Sequence, residues 1–340
     1  MYVIQIADVI DILSLYSCNE NVIAVDMLSY FQEYNKVCIL IKATCNDNKK
    51  YVIKLLNIES IEIFEEEERN VFSEFLRLNS LSVPKKYINS NHYCATITIN
   101  DIDFLATVED YFGEDVKEIT LQSVFELGSI LGNLHQLSYS YGCHLKQGYV
   151  LSALKSGRTS FDSIWSELDA IVFDNPEEIQ KIRILHNNKI EELKKLWNEL
   201  PTAAVHGDLG LTSNFMYQSS GYGIIDFNLA GDEVLLGDLL ITWYSSRYSN
   251  DFIRKVPFNK VSKIKQSFFQ GYYSKRELTD IEHKNFDKVS IIINGIYFNR
   301  FVAELAKKGN VQLAKKLSKY IFEHYYTDDT SINLAGELKL

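Results

Sequence analysis

The residue types best suited to do chemistry in this sequence lie in one polar loop and at the end of the apolar run that follows it. The loop reads VHGDLGLTSNFM over residues 205–216, and a second apolar run ends at Asp226, twelve residues after Asn214. Two short strands joined by a turn would place Asn214 and Asp226 side by side at their ends. An amide oxygen beside a carboxylate is a hard donor pair, which suits Mg²⁺ better than Zn²⁺.

Asp208 projects from the same loop without being required as a metal ligand. A carboxylate near a Mg²⁺ site can orient and deprotonate a hydroxyl group. Phosphoryl transfer depends mostly on positioning and on charge neutralisation, so this set of residues predicts that reaction. Taken singly, each Asp or Asn in a loop is typical of a turn, and only the complete string favours a catalytic loop.

At this point the sequence resembles the aminoglycoside phosphotransferase and choline kinase family, which has a protein-kinase-like fold. That family carries HGDL, then Asn, then IDF in this order and near this spacing. Here HGDL occupies residues 206–209 and IDF occupies residues 225–227. The resemblance implies a kinase that uses ATP or GTP and Mg²⁺.

The resemblance also implies a role for each residue of the two motifs. Asp208 would be the catalytic base or hydroxyl-orienting carboxylate, and His206 would brace the loop by hydrogen bonding. Asn214 and Asp226 would hold Mg²⁺. The family usually has Asn one residue earlier, where this chain has Ser213, so Ser213 stays open as an alternative ligand.

A lysine near the start of the chain matches the strand lysine that contacts the nucleotide phosphates in this family. The motif is VIK at residues 52–54, on the second strand of a predicted hairpin. The resemblance requires a helix glutamate to pair with Lys54, and the candidates are Glu65–Glu68. Spacing to the apolar residues of the helix favours Glu68. No glycine lies between Ser29 and Lys36, which excludes a GxGxxG phosphate cradle there.

The remaining pattern predicts an α+β protein with a small β-rich lobe and a larger helical lobe. A hairpin is predicted over residues 37–56 and a helix over residues 59–80, followed by two more strands. After Gly113 the chain reads as mainly helical. We therefore predict an N-terminal nucleotide-binding lobe over residues 1–110, and a C-terminal catalytic and acceptor-binding lobe over residues 111–340.

Composition restricts the class of protein. The 340 residues carry a formal net charge of −10, which argues against general nucleic-acid binding. No apolar run is long enough and free enough of charge to predict a membrane span. The five cysteines include no CxxC pair, so we expect free thiols in a reducing, cytoplasmic setting. The sequence carries no signal for an oligomeric state.

The acceptor is the least specified part of the prediction. Aminoglycosides, choline-like amino alcohols, hydroxy amino acids and sugars all stay open. Candidate acceptor-binding side chains, each of which could instead be surface or core, are Asp162, Trp165, Glu167, Asp169, Asp174, Trp243, Tyr244, Arg247, Tyr297 and Arg300. We interpret His135 and Asp238 as structural. The alternative function is a kinase-fold binding or structural protein with weakened catalysis.

Overall fold

The computed structural model describes residues 4–18, 21–33, 36–58, 62–146 and 176–324. The chain divides into two compact units. One contains Met1–Glu114 and Gln218–Asn228, and the other contains Asp115–Tyr217 and Leu229–Leu340. The first unit therefore contains a second chain segment, Gln218–Asn228, which the predicted lobe of residues 1–110 does not include.

The first unit is rich in strands and the second unit is rich in helices. The strands are β1 (Val22–Glu33), β2 (Lys36–Cys45), β3 (Lys50–Asn57), β4 (Ala95–Ile99), β5 (Ile102–Asp110), β6 (Glu114–Asp115), β7 (Thr202–Val205), β8 (Phe215–Gln218), β9 (Gly221–Ile224) and β10 (Gly231–Val234). The helices are α1 (Ile6–Leu15), α2 (Ile63–Leu78), α3 (Leu121–Tyr141), α4 (Pro176–Trp197), α5 (Leu235–Arg247), α6 (Asn250–Lys255), α7 (Val261–Tyr273), α8 (Asp280–Lys307) and α9 (Val311–His324). A 3₁₀ turn, Phe258–Lys260, precedes α7.

The first unit is built on an antiparallel sheet with strand order β1-β2-β3-β5-β4. Side chains alternate along β3, so that Ile53 and Leu55 are buried in the core that also contains Ile12 and Leu13 of α1. Lys54 points to the opposite face from Ile53 and Leu55, at a central position that pairs with β2 on one side and β5 on the other. A central strand thus holds the lysine in a fixed register.

The first strand differs from the prediction. Residues 29–33, in the segment where the lack of glycine excludes a GxGxxG cradle, continue strand β1 in pairing with β2. The start of this strand also lies in a segment that reads as a mixed opening in the sequence. Its exposed apolar residues include Ile23 and Phe31, so the usual alternation of apolar and polar residues is hidden.

The second unit contains helices that cross at very close range. A Cβ atom added to Gly128 or Gly132 of α3 would lie 2.1 Å from the carbonyl oxygen of Phe268 or 2.5 Å from that of Tyr272. Gly271 of α7 makes the reciprocal approach to α3, at 2.0 Å. Only glycine permits backbones to pack this closely. Gly128 and Gly132 therefore allow the close packing of α3 against α7.

Helix α8 is the one helix in the described ranges that is long and apolar enough to cross a membrane by length and composition alone. Within its most apolar stretch, 67% of the residues are buried inside the protein. Val289, Ile293 and Val302 are among the buried side chains. Burial of this extent is typical of a core helix.

Candidate active site

Lys54 forms a buried ion pair with a glutamate of α2. Its Nζ lies 2.7 Å from Oε1 of Glu66, and both side chains are largely removed from solvent. Burial would lower the pKa of Lys54, but the carboxylates of Glu66 and Asp226 outweigh it and raise that pKa. Burial likewise opposes ionisation of Glu66, while Lys54 and Arg69 lower the pKa of its carboxyl group. Both members of the pair are therefore charged.

The prediction that Glu68 pairs with Lys54 is wrong, because Glu66 forms that ion pair. The face of α2 that turns inward carries Glu66 and Asn70, which are one helical turn apart, whereas Glu68 is only partly buried. The prediction took Val71 as part of the inward face, and Val71 is 51% exposed. Glu66 was among the open candidates, but apolar residues on the outer face of α2 shifted the helical phase toward Glu68.

Asp226 and Asn228 complete the arrangement around Lys54. Asp226 has a left-handed backbone with φ of 65°, and its Oδ1 accepts a hydrogen bond from the backbone N–H of Asn228 at 3.3 Å. The side-chain Oδ1 of Asn228 accepts a hydrogen bond from Lys54 Nζ. Asn228 directly follows the IDF motif, and the sequence pattern predicted no role for it. A polar side chain directly after the IDF motif was the feature of the sequence that could have indicated the hydrogen bond with Lys54.

In the second unit, the HGD segment is held in a strained, closely packed turn. His206 is fully buried, and its Nδ1 accepts the backbone N–H of Asp208 at 3.3 Å, which agrees with a bracing role. Gly207 has φ of 80°, and a Cβ there would lie 2.3 Å from the carbonyl oxygen of Leu229. Only glycine can occupy this position without displacing the backbone. The turn leaves Asp208 exposed while its neighbours are buried.

Asn214 contacts Asp208 directly. Its Nδ2 donates to the backbone oxygen of Asp208 at 2.9 Å and to the carboxylate Oδ2 at 3.2 Å. Asn214 also has a left-handed backbone, with φ of 60°. Asn adopts this conformation more readily than most non-glycine residues, so the residue type suits the turn. Since the amide nitrogen faces Asp208, the amide oxygen is the atom that a cation would use.

Ser213, the alternative metal ligand, has a different environment. Its backbone forms two hydrogen bonds with Gly210, at 3.1 and 3.2 Å. Ser213 is exposed, and its Oγ would lie 2.8 Å from a Cβ added to Gly210. Leu211 then anchors the turn to α5, because its N–H donates to the buried Oγ of Ser246 at 2.9 Å. Of the two candidates, Asn214 is the one that touches Asp208.

A buried polar network supports this unit. His135 Nε2 lies 3.0 Å from the carboxylate of Asp238, and its Nδ1 lies 2.9 Å from the hydroxyl of Tyr272. Arg276 donates to the Tyr272 hydroxyl at 2.9 Å and to both oxygens of Glu282, at 3.0 and 2.9 Å. Burial, opposed by Asp238, lowers the pKa of His135. His135 and Asp238 thus have the structural roles that the sequence predicts.

Two of the predicted acceptor-binding aromatics belong to the core instead. Trp243 is buried, with ring centroids 5.9 Å from Phe252 and 5.8 Å from Phe268. Tyr244 is also buried, and its hydroxyl lies 2.8 Å from that of Ser290. These two residues pack the second unit rather than a ligand. Asp162, Trp165, Glu167, Asp169 and Asp174 lie outside the described residues.

The predicted arginines and Tyr297 differ in environment. Arg247 is buried, and burial lowers its pKa. Burial raises the pKa of Tyr297 to about 12, Arg300 opposes the rise, and the charge of Asp208 in the HGD segment adds to it. The guanidinium carbon of Arg300 lies 5.2 Å from the ring centroid of Tyr297. Because the charge of Asp208 acts on Tyr297, and Arg300 lies over the Tyr297 ring, these two residues stay candidates for binding the acceptor.

No three-ligand metal cluster of His, Cys, Asp or Glu side chains occurs within the described ranges. The donors that fit Mg²⁺ are the Asp226 carboxylate and the Asn214 amide oxygen. Mg²⁺ in nucleotide enzymes is commonly bound by one or two protein groups, with phosphate and water completing the octahedron. The donor set therefore fits the ion, and its assembly from these two residues stays a prediction.

No family model matches the sequence, and no curated protein matches it significantly. Solved structures do match over nearly the whole chain. A microcompartment-associated aminopropanol kinase has 15% identity and a TM-score of 0.65, with 97% of this chain and 100% of that one covered. An amicoumacin kinase, solved with AMP-PNP and Ca²⁺, has 15% identity and a TM-score of 0.60, with 86% and 88% covered.

The choline kinase LicA from Streptococcus pneumoniae is also similar, with 18% identity, a TM-score of 0.52, and coverage of 91% and 97%. At these identities the similarity concerns the fold. It confirms the α+β class and the resemblance on which the sequence prediction rested. The chain has the protein-kinase-like fold of the aminoglycoside phosphotransferases and choline kinases.

Proposed function

We propose that this protein is a kinase that transfers the γ-phosphate of ATP or GTP to a hydroxyl group of a small molecule, with Mg²⁺. The observation that carries the proposal is the buried Lys54–Glu66 ion pair beside Asp226, in a chain with the fold of small-molecule kinases. Buried ion pairs contribute little to stability on average, so a functional reason for this one is needed.

Lys54 is the proposed phosphate-binding group. An ammonium has three N–H donors, and Glu66 and Asn228 each accept one of them. The third donor is left for a phosphate oxygen. Glu66 and Asn228 would thus aim the ammonium, while the carboxylates of Glu66 and Asp226 raise the pKa of Lys54 and keep it protonated. A pre-aimed charge stabilises transferring phosphate without reorganisation at the moment of reaction.

Asp226 and Asn214 are the proposed Mg²⁺ ligands, and Ser213 is the less favoured alternative to Asn214. When bound, the ion would neutralise charge on the nucleotide phosphates. Asp208 is the proposed catalytic carboxylate. It would accept the proton of the acceptor hydroxyl as the new P–O bond forms and the bond to the nucleoside diphosphate breaks. The hydrogen bond from Asn214 fixes the orientation of the Asp208 carboxylate.

For the acceptor we propose an amino alcohol, with aminoglycosides, hydroxy amino acids and sugars as the other classes. Two structures of this fold are named as aminopropanol kinase and choline kinase, which supports testing amino alcohols first. We further propose a cytoplasmic location, because all five cysteines are free thiols and a phosphate donor is required.

The test is a phosphate-transfer screen over amino alcohols, aminoglycosides, hydroxy amino acids and sugars, with ATP and GTP in separate reactions. We expect Mg²⁺-dependent transfer to at least one acceptor class, and its loss in Asp208→Ala with folding intact. Mg²⁺-dependent nucleotide binding without transfer to any acceptor would favour the binding-protein alternative. Absence of both transfer and nucleotide binding would refute the kinase proposal.

A further inference from the structure

The first unit contains a second cationic site, separate from Lys54, which we name the lysine pocket. It is a cavity of about 550 Å³ between the β2–β3 turn, the segment after α2 and the end of β5. Its lining includes Lys49, Lys50, Arg77, Lys85, Asp110 and Tyr111. Four of these six groups are cationic and one is acidic, in a chain whose net charge is −10.

Two of the lysines converge on one aromatic ring. The Nζ atoms of Lys49 and Lys85 lie 5.2 and 4.6 Å from the ring centroid of Tyr87. Lys49 also lies 4.9 Å from the centroid of Tyr51. The hydroxyls of Tyr87 and Tyr51 raise the pKa of Lys49 against the effect of desolvation, so its ammonium stays charged. Cation–π contacts therefore gather these like charges in one place.

No carboxylate of the described residues lies within ion-pair distance of Lys49, Lys50 or Lys85. Lys50 instead lies over the ring of Tyr111, 5.8 Å from its centroid. The acid of the lining, Asp110, already accepts a hydrogen bond from the Tyr87 hydroxyl at 2.8 Å. Among the described residues, the lining therefore carries more positive than negative charge.

Arg77 is the fourth cation of the lysine pocket, and it is held by its own helix. Its Nε and Nη2 donate to the two carboxylate oxygens of Glu74, at 2.8 and 2.6 Å. This pairing orients the guanidinium, whereas the exposed Lys49, Lys50 and Lys85 have no ion-pair partner among the described residues. An anion bound among them would relieve their mutual repulsion.

The pocket is distinct from the candidate active site. Lys50 and Lys54 lie on the same strand, four residues or about 13 Å apart along it. Lys54 is engaged by Glu66 and Asn228, and none of these three residues lines the pocket. Occupation of one site therefore does not require occupation of the other.

We propose that the lysine pocket binds a compact polyanion that carries two or more phosphate groups. Its volume lies within the range of small-molecule sites. Lys49 and Lys85 hold two positive charges close together at the Tyr87 ring. Adjacent phosphate groups match them, because they carry several negative charges over a similarly short distance. Carboxylates spaced along an acidic peptide supply less charge over that span. The nucleotide site of the proposed kinase plays no part in this proposal.

The first experiment is calorimetric titration with inorganic tripolyphosphate in the presence of a chelator, using Lys54→Ala protein so that the candidate active site does not contribute. We expect saturable binding that weakens steeply as salt is added. In the Lys54→Ala background, the double variant Lys49→Met, Lys85→Met should weaken binding at least tenfold. The matched control, Lys263→Met with Lys284→Met, removes the same charge from exposed positions of the second unit and should change it less than twofold.

A second experiment uses unsubstituted protein and so does not depend on whether a variant folds. Lysines are acetylated with and without tripolyphosphate, in the presence of the chelator, and modification is read by mass spectrometry. We expect protection of Lys49, Lys50 and Lys85 relative to Lys263. Equal protection of all lysines, binding unchanged by the double variant, or binding of a poly-glutamate peptide in preference to tripolyphosphate would overturn the proposal.

Discussion

Removing the charge of Glu66 should lower both kcat/KM for the nucleotide and the free energy of unfolding. The same change at Glu68, two residues away on the same helix, should lower them far less. At the observed Nζ–Oε1 distance of 2.7 Å, the attraction is about 6 kcal/mol for an effective dielectric constant of about 20. Desolvation cancels much of this, and loss of one partner of a buried pair costs about 3 kcal/mol. Asp226 and Asn228 stay near the ammonium of Lys54, so about 3 kcal/mol is an upper bound for the loss of stability in Glu66→Gln.

The assay compares Glu66→Gln with Glu68→Gln, which is its matched control on α2. If half of the lost interaction acts on the aim of Lys54, kcat/KM for the nucleotide should fall about tenfold. The free energy of unfolding in urea should fall by about 1–3 kcal/mol for Glu66→Gln. Glu68→Gln should change both quantities by less than twofold and by less than about 0.5 kcal/mol, because Glu68 lies off the inward face of the helix.

Equal effects of the two substitutions, or a larger effect of Glu68→Gln, would show that α2 has a different rotation about its axis from the one described. Loss of stability in Glu66→Gln without any loss in kcat/KM would show that the Lys54–Glu66 pair is structural only. Either result would refute the reasoning that places the ion pair at the phosphate-binding position.

Three further predictions concern single residues. Asn228→Ala should raise the KM for the nucleotide several-fold with little change in stability, measured by steady-state kinetics and thermal melting; an unchanged KM would remove Asn228 from the site. Gly207→Ala should destabilise the protein by more than about 2 kcal/mol, because strain at φ of 80° adds to a clash with Leu229. Gly142→Ala, at φ of 61° with open space around it, should cost only about 1 kcal/mol in the same urea titrations, and equal costs would contradict the clash. Burial lowers the pKa of His135, so the unfolded chain binds the proton more readily and stability should fall as pH drops below about 6.5. His135→Gln should flatten that dependence, and an unchanged slope would be the contrary result.

The local geometry of the candidate catalytic loop could be predicted from the sequence, because the residues of this loop are contiguous. HGD followed by Asn214 is a local string, and its turn depends on residues within it: Gly207 for its φ, and His206 for the hydrogen bond to Asp208. Short-range geometry of this kind follows from residue type and spacing. The preference for Asn214 over Ser213 follows the same logic.

The partner of Lys54 depended on contacts between distant parts of the chain. Four consecutive glutamates offer four rotations of one helix, and the apolar residues beside them do not distinguish the inward face, since Val71 points outward. Packing of α2 against its unit placed Glu66 next to Lys54. Helix propensity does not select among these four rotations of α2. The rotation is set by which face of the helix is buried in the tertiary structure.

The sequence by itself predicted the fold class correctly and singled out the HGD loop and Lys54 as candidate site residues, because these inferences depend on periodicity and on contiguous motifs. Only the tertiary structure assigned Glu66 to Lys54, recruited Asn228 as a second partner, and placed Trp243 in the core. It also brought Lys49 and Lys85 to the same ring from positions far apart in the chain. Contacts between distant segments depend on how whole elements pack, and a single sequence carries no local sign of them.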